Sequence, residues 1–140
     1  MLRINIFNKN KINRFIKKNY ATNIRKKEII PTDIDEIEKF FSPVDKDEWL
    51  VIDFLGDIKE LENSLSLLSI NVMLKYFIDI TLPENYTFDE ALKIPKIIEK
   101  RNIYENAKII LCMSVDVRLQ PGELAIRIII PKYAYKDIWS

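Results

Sequence analysis

Histidine is absent from this 140-residue chain, and cysteine and glycine are scarce. Without histidine the chain has neither Ser-His-Asp nor Cys-His catalytic machinery, and no histidine-based metal site. Cys112 is the only cysteine, which excludes an intrachain disulfide, a zinc cluster and a two-thiol redox motif. Gly56 and Gly122 are the only glycines, so no glycine-rich loop can hold a phosphate group. These absences predict a protein that is not an enzyme and that carries no cofactor or metal.

Long apolar runs are also missing. No uninterrupted hydrophobic stretch approaches the roughly 18 residues that a membrane-spanning helix needs, so we expect no membrane span. The length of the chain suits one domain with one core.

Acidic residues are absent from residues 1–27, which contain nine lysines and arginines. The other residues contain thirteen basic and twenty-one acidic side chains, so the two parts carry opposite net charge. Within the basic part, one helical face is formed by Ile12, Phe15, Ile16 and Tyr20. A basic, amphipathic, acid-free N-terminus is typical of a mitochondrial transit peptide, because import requires an apolar stripe and positive charge.

We therefore predict that residues 1–27 are a leader, that residues 28–140 are a single folded domain, and that the protein is located in the mitochondrial matrix. The segment around Tyr20 and Ala21 also resembles a processing-protease site, with cleavage between these two residues. Two alternatives are a basic arm that binds nucleic acid through phosphates and the ordinary start of a bacterial or phage protein.

Three segments of the body have helical patterns. Thr32 is a candidate N-cap for a helix that has an acidic first turn and ends near Phe41. Apolar residues recur at three- and four-residue steps from Ile58 to Phe77, which predicts one long and largely buried helix. Thr87 is the expected N-cap of a further helix that ends near Asn102.

The rest of the body has the patterns of β-strands. Residues 49–55 form a short apolar run, and residues 109–119 and 124–130 have apolar side chains at every second position. A Pro-Gly turn between the last two segments predicts a C-terminal β-hairpin. Because a hairpin is not stable alone, we predict an α+β domain in which helices pack on one face of a small antiparallel sheet that includes this hairpin.

Asn63-Ser64-Leu65 lies at the start of an apolar helix, and Asp79 and Leu82-Pro83-Glu84 follow it. With these motifs, residues 50–100 resemble the helical unit of acyl carrier proteins, including carrier-like subunits of mitochondrial ribosomes. This resemblance implies that Ser64 is the attachment residue for phosphopantetheine, although Asn63 stands where the family has an acid. The alternative is a serine on the solvated strip of a helix.

Two further groups of residues are candidates for function. Asp53 interrupts an apolar run, and a buried carboxylate requires a partner or a shifted pKa; exposure at a sheet edge is the alternative. Near the C-terminus, Tyr133, Tyr135 and Trp139 occur together with Lys132 and Lys136, a pattern that suits stacking on RNA bases or anchoring on a partner protein. We predict that these three aromatic residues bind a partner; packing against the protein's own sheet is the alternative.

The leading functional hypothesis is a non-catalytic accessory subunit of a mitochondrial assembly, preferably the ribosome. It expects contacts with protein subunits, and contact with RNA only through the basic leader or the C-terminal tail. The alternatives are a divergent mitochondrial acyl carrier protein and a bacterial or phage inhibitor or immunity-type binding protein.

Overall fold

The computed structural model of the chain describes residues 1–20, 27–30, 34–41, 48–68, 75–102 and 106–132, with the backbone alone described for residues 27–30 and for Ile34. The described residues form six strands and four helices. In chain order they are β1 (Leu2–Phe7), α1 (Lys9–Tyr20), β2 (Lys27–Ile30), α2 (Ile34–Phe41), β3 (Trp49–Gly56), α3 (Ile58–Leu67), β4 (Lys75–Leu82), α4 (Phe88–Arg101), β5 (Lys108–Val115) and β6 (Leu124–Pro131).

The six strands form one sheet in the order β1-β3-β6-β4-β5-β2. Four of the five neighbouring pairs are antiparallel, and only β4 and β5 run parallel. The parallel pair is joined by α4, because parallel neighbours need a crossover connection rather than a tight turn. The predicted α+β class and the mainly antiparallel sheet are confirmed.

The two C-terminal strands exist, but they do not form the expected hairpin. In the described sheet β4 lies between them, and it pairs with β5 on one side and with β6 on the other. The turn before β6 is present, with Gly122 at a φ of 78°, a conformation that glycine adopts without strain. Because β6 is apolar on both faces, it is buried in the centre of the sheet between β3 and β4 rather than beside β5 at an edge.

Helices cover both faces of the sheet, whereas the sequence analysis predicted helices on one face only. One face packs against α3 and α4 through a core that includes Leu61, Leu65, Ile94 and Ile98. The opposite face packs against α1 and α2 in a second core, which is rich in aromatic side chains. The buried residues of this second core are Phe7, Ile12, Ile16, Tyr20, Ile37, Phe40, Phe41, Trp49, Val51, Phe77, Ile110, Cys112 and Ile129.

The expected leader is part of this fold. β1 pairs with β3 along its whole length, and α1 buries Ile12, Ile16 and Tyr20 against the sheet. The helical face in residues 12–20 was identified correctly, but its apolar stripe faces the protein's own core rather than an import receptor. In the structure β1 and β3 belong to one sheet, and the division into a leader of residues 1–27 and a domain of residues 28–140 stays a prediction. Location in the mitochondrial matrix stays a prediction.

The predicted long helix from Ile58 to Phe77 is a shorter helix and a strand. Asp57 caps α3 by accepting a hydrogen bond from the backbone N–H of Glu60, and the helix ends at Leu67. From Tyr76 to Leu82, every residue of β4 is buried. A strand buried on both faces is apolar at consecutive positions, so its sequence does not alternate and resembles a buried helix.

The other predicted helices are confirmed. α2 ends at Phe41 as expected, while its predicted cap, Thr32, lies outside the described residues. The hydroxyl of Thr87 accepts a hydrogen bond from the backbone N–H of Glu90 at the start of α4, and Asn102 caps its end. Across the described parts of the chain, none of the helices is long and apolar enough to span a bilayer.

The role of α1 in the core can be tested with two isoleucine truncations. We expect Ile16→Ala to lower the free energy of unfolding by about 2–5 kcal/mol, because Ile16 is 1% exposed. Ile6→Ala is the matched control, since Ile6 is 51% exposed and its loss is expected to cost less than about 1 kcal/mol. Urea unfolding followed by circular dichroism measures both. Equal effects of the two substitutions would show that α1 is not part of the core.

Candidate functional site

A row of four charged side chains crosses the sheet on the face that α1 and α2 cover. Asp53 of β3 lies opposite Arg3 of β1 on one side and opposite Arg127 of β6 on the other. Asp79 of β4 lies on the far side of Arg127. Basic and acidic side chains thus alternate across four neighbouring strands, at positions where cross-strand pairs of opposite charge are favourable.

Tyr20, the last residue of α1, joins this charge row to the helix. Its hydroxyl donates a hydrogen bond to Oδ2 of Asp79 at 2.7 Å. Arg127 donates from Nε to Oδ1 of Asp53 at 2.7 Å and, more weakly, from Nη1 to the Tyr20 hydroxyl at 3.5 Å. The ring of Phe15 lies 4.6 Å from the guanidinium carbon of Arg127, a cation–π distance. Two helical side chains therefore meet the charge row directly.

Burial determines the protonation of the tyrosine. It raises the pKa of Tyr20 well above its ordinary value, and the neighbouring carboxylate of Asp79 raises that pKa further. For Arg127, burial lowers the pKa, but the interactions with Tyr20 and Asp53 outweigh it and the net shift is upward. Tyr20 is therefore a neutral donor and Arg127 a permanent cation, so neither is suited to proton transfer near neutral pH.

The charge row forms the floor of an open pocket of about 270 Å³. Its lining residues come from β1, β3, β4 and β6 and are Met1, Arg3, Asp53, Phe54, Leu55, Asp79, Thr81, Ala125, Ile126 and Arg127. The acids here are bonded to Tyr20 and Arg127, and no group of side chains suited to hold a metal ion occurs among the described residues. Both acids of the charge row are therefore engaged in hydrogen bonds.

A second pocket, of about 480 Å³, lies at the end of α4 beside the start of β5. Burial, and then the nearby charge of Glu99, raises the pKa of Tyr76 in this pocket to about 12. Lys96 and Lys100 also line it. The pocket therefore combines a tyrosine that stays protonated at neutral pH with two lysines of α4.

The outer edge of β1 is the other candidate site. Met1 and Leu55 exchange two backbone hydrogen bonds, of 2.8 and 2.9 Å, so the odd-numbered residues of β1 bond to β3. The backbone N–H and C=O groups of Leu2, Ile4 and Ile6 consequently point away from the sheet. Among the described residues no strand pairs with this edge, because β1 is the terminal strand of the sheet.

The same edge carries exposed apolar side chains. Ile4 is 38% and Ile6 is 51% exposed, and they lie opposite the buried Ile52 and Leu50 on the face covered by α3 and α4. Long apolar edges are unusual in stable monomers, because they are templates for pairing with another chain. The remaining exposed apolar side chains of the described chain, such as Leu67 and Val117, are distributed over other elements.

The residues predicted from the sequence do not come together in one site. Ser64 lies half-buried within α3, and phosphopantetheine attachment there stays a prediction. Tyr133, Tyr135 and Trp139 lie outside the described residues, so their role as partner-binding residues also stays a prediction. Cys112 is buried.

Asp53 is the one predicted residue that the structure places in the charge row. It is partly exposed, with 35% of its side chain accessible, and it has Arg127 as its partner. The expected partner is present, whereas the alternative of exposure at a sheet edge is wrong, since β3 lies between β1 and β6. The partner Arg127, and the further members Asp79 and Tyr20 of this arrangement, were not predicted as site residues, because each lies in a different segment of the sequence. A usable signal was Arg127, which is the one charged residue in the otherwise apolar strand β6.

The comparisons with known proteins concern the fold. No protein-family model matches this chain, and no similar sequence was found among curated proteins. Two solved structures of FtsZ from M. jannaschii are similar to this chain in three dimensions. The first is an empty FtsZ dimer, with a TM-score of 0.58 and 20% sequence identity. The second is a W319Y mutant, with a TM-score of 0.57 and 18% sequence identity. This chain shares its fold with part of FtsZ. Each match covers 74% of this chain but only 32% of the FtsZ chain, so this chain corresponds to about a third of that protein.

The predicted role as an accessory subunit of a mitochondrial assembly, most specifically the ribosome, is contradicted by these findings. The fold is similar to that of FtsZ rather than to that of a ribosomal subunit. The resemblance of residues 50–100 to acyl carrier proteins is not addressed by these findings and stays a prediction. Within residues 50–100 the chain forms β3 and β4 as well as α3 and most of α4, so this segment is not purely helical. The ribosomal hypothesis failed because it depended on the basic residues 1–27 being separate from the domain.

The hydrogen bond between Tyr20 and Asp79 predicts a pH dependence. We expect Tyr20→Phe to lower the free energy of unfolding by about 1–3 kcal/mol at neutral pH, because it leaves the buried carboxylate of Asp79 without this donor. Tyr20 has a raised pKa in the folded state, so its contribution is fully present below the ordinary tyrosine pKa near 10 and is lost as pH rises through the folded value.

The difference in stability between the parent and Tyr20→Phe should therefore narrow above pH 10. Urea unfolding at a series of pH values measures it, and absorbance titration of the tyrosines locates the ionisation of Tyr20. A constant difference across the alkaline range would contradict the assigned protonation.

The ion pair within the charge row should be stronger than an exposed pair. We expect Arg127→Met to lower the free energy of unfolding by about 2–4 kcal/mol, because it leaves Asp53 and Tyr20 without their cation. Lys132→Met is the matched control, since the Lys132–Glu48 pair is exposed at 42% and 46% and is expected to contribute less than about 1 kcal/mol. Thermal and urea unfolding at one salt concentration compare the two. Equal losses would show that the charge row does not stabilise the sheet.

Proposed function

We propose that this chain is a non-catalytic protein-interaction domain that binds an extended strand of a partner protein along the outer edge of β1. The observation that carries the proposal is the outward orientation of the backbone groups of Leu2, Ile4 and Ile6. An extended strand that pairs with such an edge gains main-chain hydrogen bonds, while its alternate side chains pack on the neighbouring surface.

The chemistry of the charge row supports a non-catalytic role. Tyr20 has a raised pKa, Arg127 is held as a cation, and Asp53 is bonded to that cation. These interactions stabilise the sheet and engage both acids of the row in hydrogen bonds. The absence of histidine from the sequence supports the same conclusion.

The apolar side chains of β1 support the binding of a protein partner in particular. Ile4 and Ile6 provide apolar area beside the free hydrogen-bonding groups, a combination that favours another polypeptide strand over a polar small molecule. One of the similar structures is an FtsZ dimer, so association between chains occurs in a protein that shares this fold.

A strand-forming probe tests this function. We expect a synthetic peptide of sequence Lys-Val-Thr-Val-Thr-Val-Lys to slow amide hydrogen exchange at Ile4 and Ile6 in the dilute full chain, because these N–H groups face outward. The amides of Arg3 and Asn5 are already bonded to β3, so their exchange should not change. Residue-resolved exchange by nuclear magnetic resonance measures the four amides together.

Ile4→Pro is the matched variant for this experiment. Proline at position 4 removes one outward N–H and no hydrogen bond to β3, so the fold is retained while the edge is blocked. Protection by the peptide should be lost in this variant. If the peptide at millimolar concentration leaves the exchange of Ile4 and Ile6 unchanged in the parent chain, the proposed function is overturned.

A further inference from the structure

We infer that the partner strand at this edge is β1 of a second copy of this chain, which gives a two-fold symmetric dimer with a continuous sheet. This inference rests on the proposed function and specifies its partner. Two β1 strands would run antiparallel, with Ile4 opposite Ile4 and Leu2 opposite Ile6. A two-fold contact of this kind is closed, because each copy uses the same edge and leaves no further edge of that type free.

The alternation of inward and outward backbone groups along β1 permits this register. Leu2, Ile4 and Ile6 are the residues whose backbone groups point outward, since Met1 and Leu55 form a bonded pair on the inner side. In the proposed register each outward residue faces another outward residue, so the two strands exchange about six backbone hydrogen bonds. A shift by one residue would place outward groups opposite inward ones and would remove these bonds.

The side chains also match in this register. The isoleucines of both copies lie together on the face that carries α3 and α4, where they extend the apolar surface formed by Ile52 and Leu50. On the opposite face Arg3 of each copy lies opposite Asn5 of the other. No like charges are therefore placed directly opposite each other, a juxtaposition that is destabilising in sheets.

Two other registers, shifted by two residues in either direction, also place outward groups opposite outward groups, but they are less favourable. A shift of two residues in one direction places Arg3 opposite Arg3 across the new strand pair, which brings two like charges together. A shift in the other direction places Leu2 opposite Asn8, which lies beyond the end of β1. The centred register is the one that uses the whole strand without charge repulsion.

The opposite edge of the sheet is less suited to such pairing. β2 has only four residues, and its register against β5 shifts between Glu28 and Ile30. Short and irregular edge strands are features by which proteins limit edge-to-edge association. β1 has six residues in unbroken register with β3, which makes it the better template for pairing.

The dimer should be weak and dependent on concentration. A six-residue strand is about 20 Å long, and a contact of that length lies at the small end of specific interfaces. We therefore expect a dissociation constant in the micromolar range or weaker. Such an equilibrium leaves a fraction of free edges that remain available to the strand probe.

Sedimentation of the full chain over micromolar to millimolar concentrations tests the inference. We expect a monomer–dimer equilibrium in which amide exchange at Ile4 and Ile6 slows as the dimer forms, while Arg3 and Asn5 stay protected throughout. Ile4→Pro removes an outward donor, and Ile6→Lys places two charges at the new strand pair. Each should raise the dissociation constant by more than about tenfold.

Val117→Lys is the matched control, because it replaces an apolar residue that is 70% exposed in the turn region between β5 and β6. This variant should dimerise like the parent chain. Circular dichroism confirms the fold of each variant, and if Ile4→Pro does not fold, Ile6→Lys provides the same comparison.

The outcomes separate the two proposals. A chain that stays monomeric at millimolar concentration, but whose Ile4 and Ile6 amides are protected by the strand peptide, retains the proposed function and excludes a second copy as the partner. A dimer that persists unchanged in Ile6→Lys also overturns the inference, since its interface would lie elsewhere. Absence of both dimer and peptide protection removes both proposals.

Discussion

The pairing of Arg127 is the interaction on which the arrangement of the sheet most depends. This arginine lies on a central strand, between an acid on each neighbouring strand, and it is mostly withdrawn from water. A charge in that position is tolerated only when it is paired and hydrogen-bonded. Because side chains alternate between faces, a slip of β6 by one residue would move the guanidinium to the other face and separate it from Asp53 and Asp79. Tyr20 extends this constraint to α1, whose end must reach the charge row to donate to Asp79.

Local structure was predictable where one segment determines its own conformation. The helix after Thr87 has its cap, its acidic first turn and its basic last turn within fifteen residues, and all of these features occur in α4. The amphipathic helix ending at Tyr20 was predictable for the same reason. Such a pattern does not indicate which surface the apolar face of the helix contacts. An apolar stripe that binds a receptor and one that packs on a sheet have the same spacing, so the sequence of α1 was compatible with a leader.

Features that depend on distant segments were not predictable from periodicity. The position of β4 between β5 and β6 depends on the pairing of all three strands. The turn at Gly122 produces a hairpin only if no other strand pairs with the same edge. The candidate sites follow the same rule. Asp53 stood out because it interrupts an apolar run, but its partner lies 74 positions away. The exposed edge of β1 could not be identified before the sheet order was known. With Ile4 and Ile6, the sequence of β1 resembles that of a buried strand.

The central position of β6 has a consequence for how the chain acquires its structure. β3 and β4 have no direct ladder between them and are joined only through this strand, which is the last of the described elements. The two parts of the sheet can each form locally, but the pairing of β3 with β6 joins residues that are 68 to 82 positions apart. Such long-range closure makes folding slow, because loop entropy is lost before the contacts that compensate for it are formed. During synthesis the earlier strands therefore remain incompletely paired until residues 124–131 have left the ribosome.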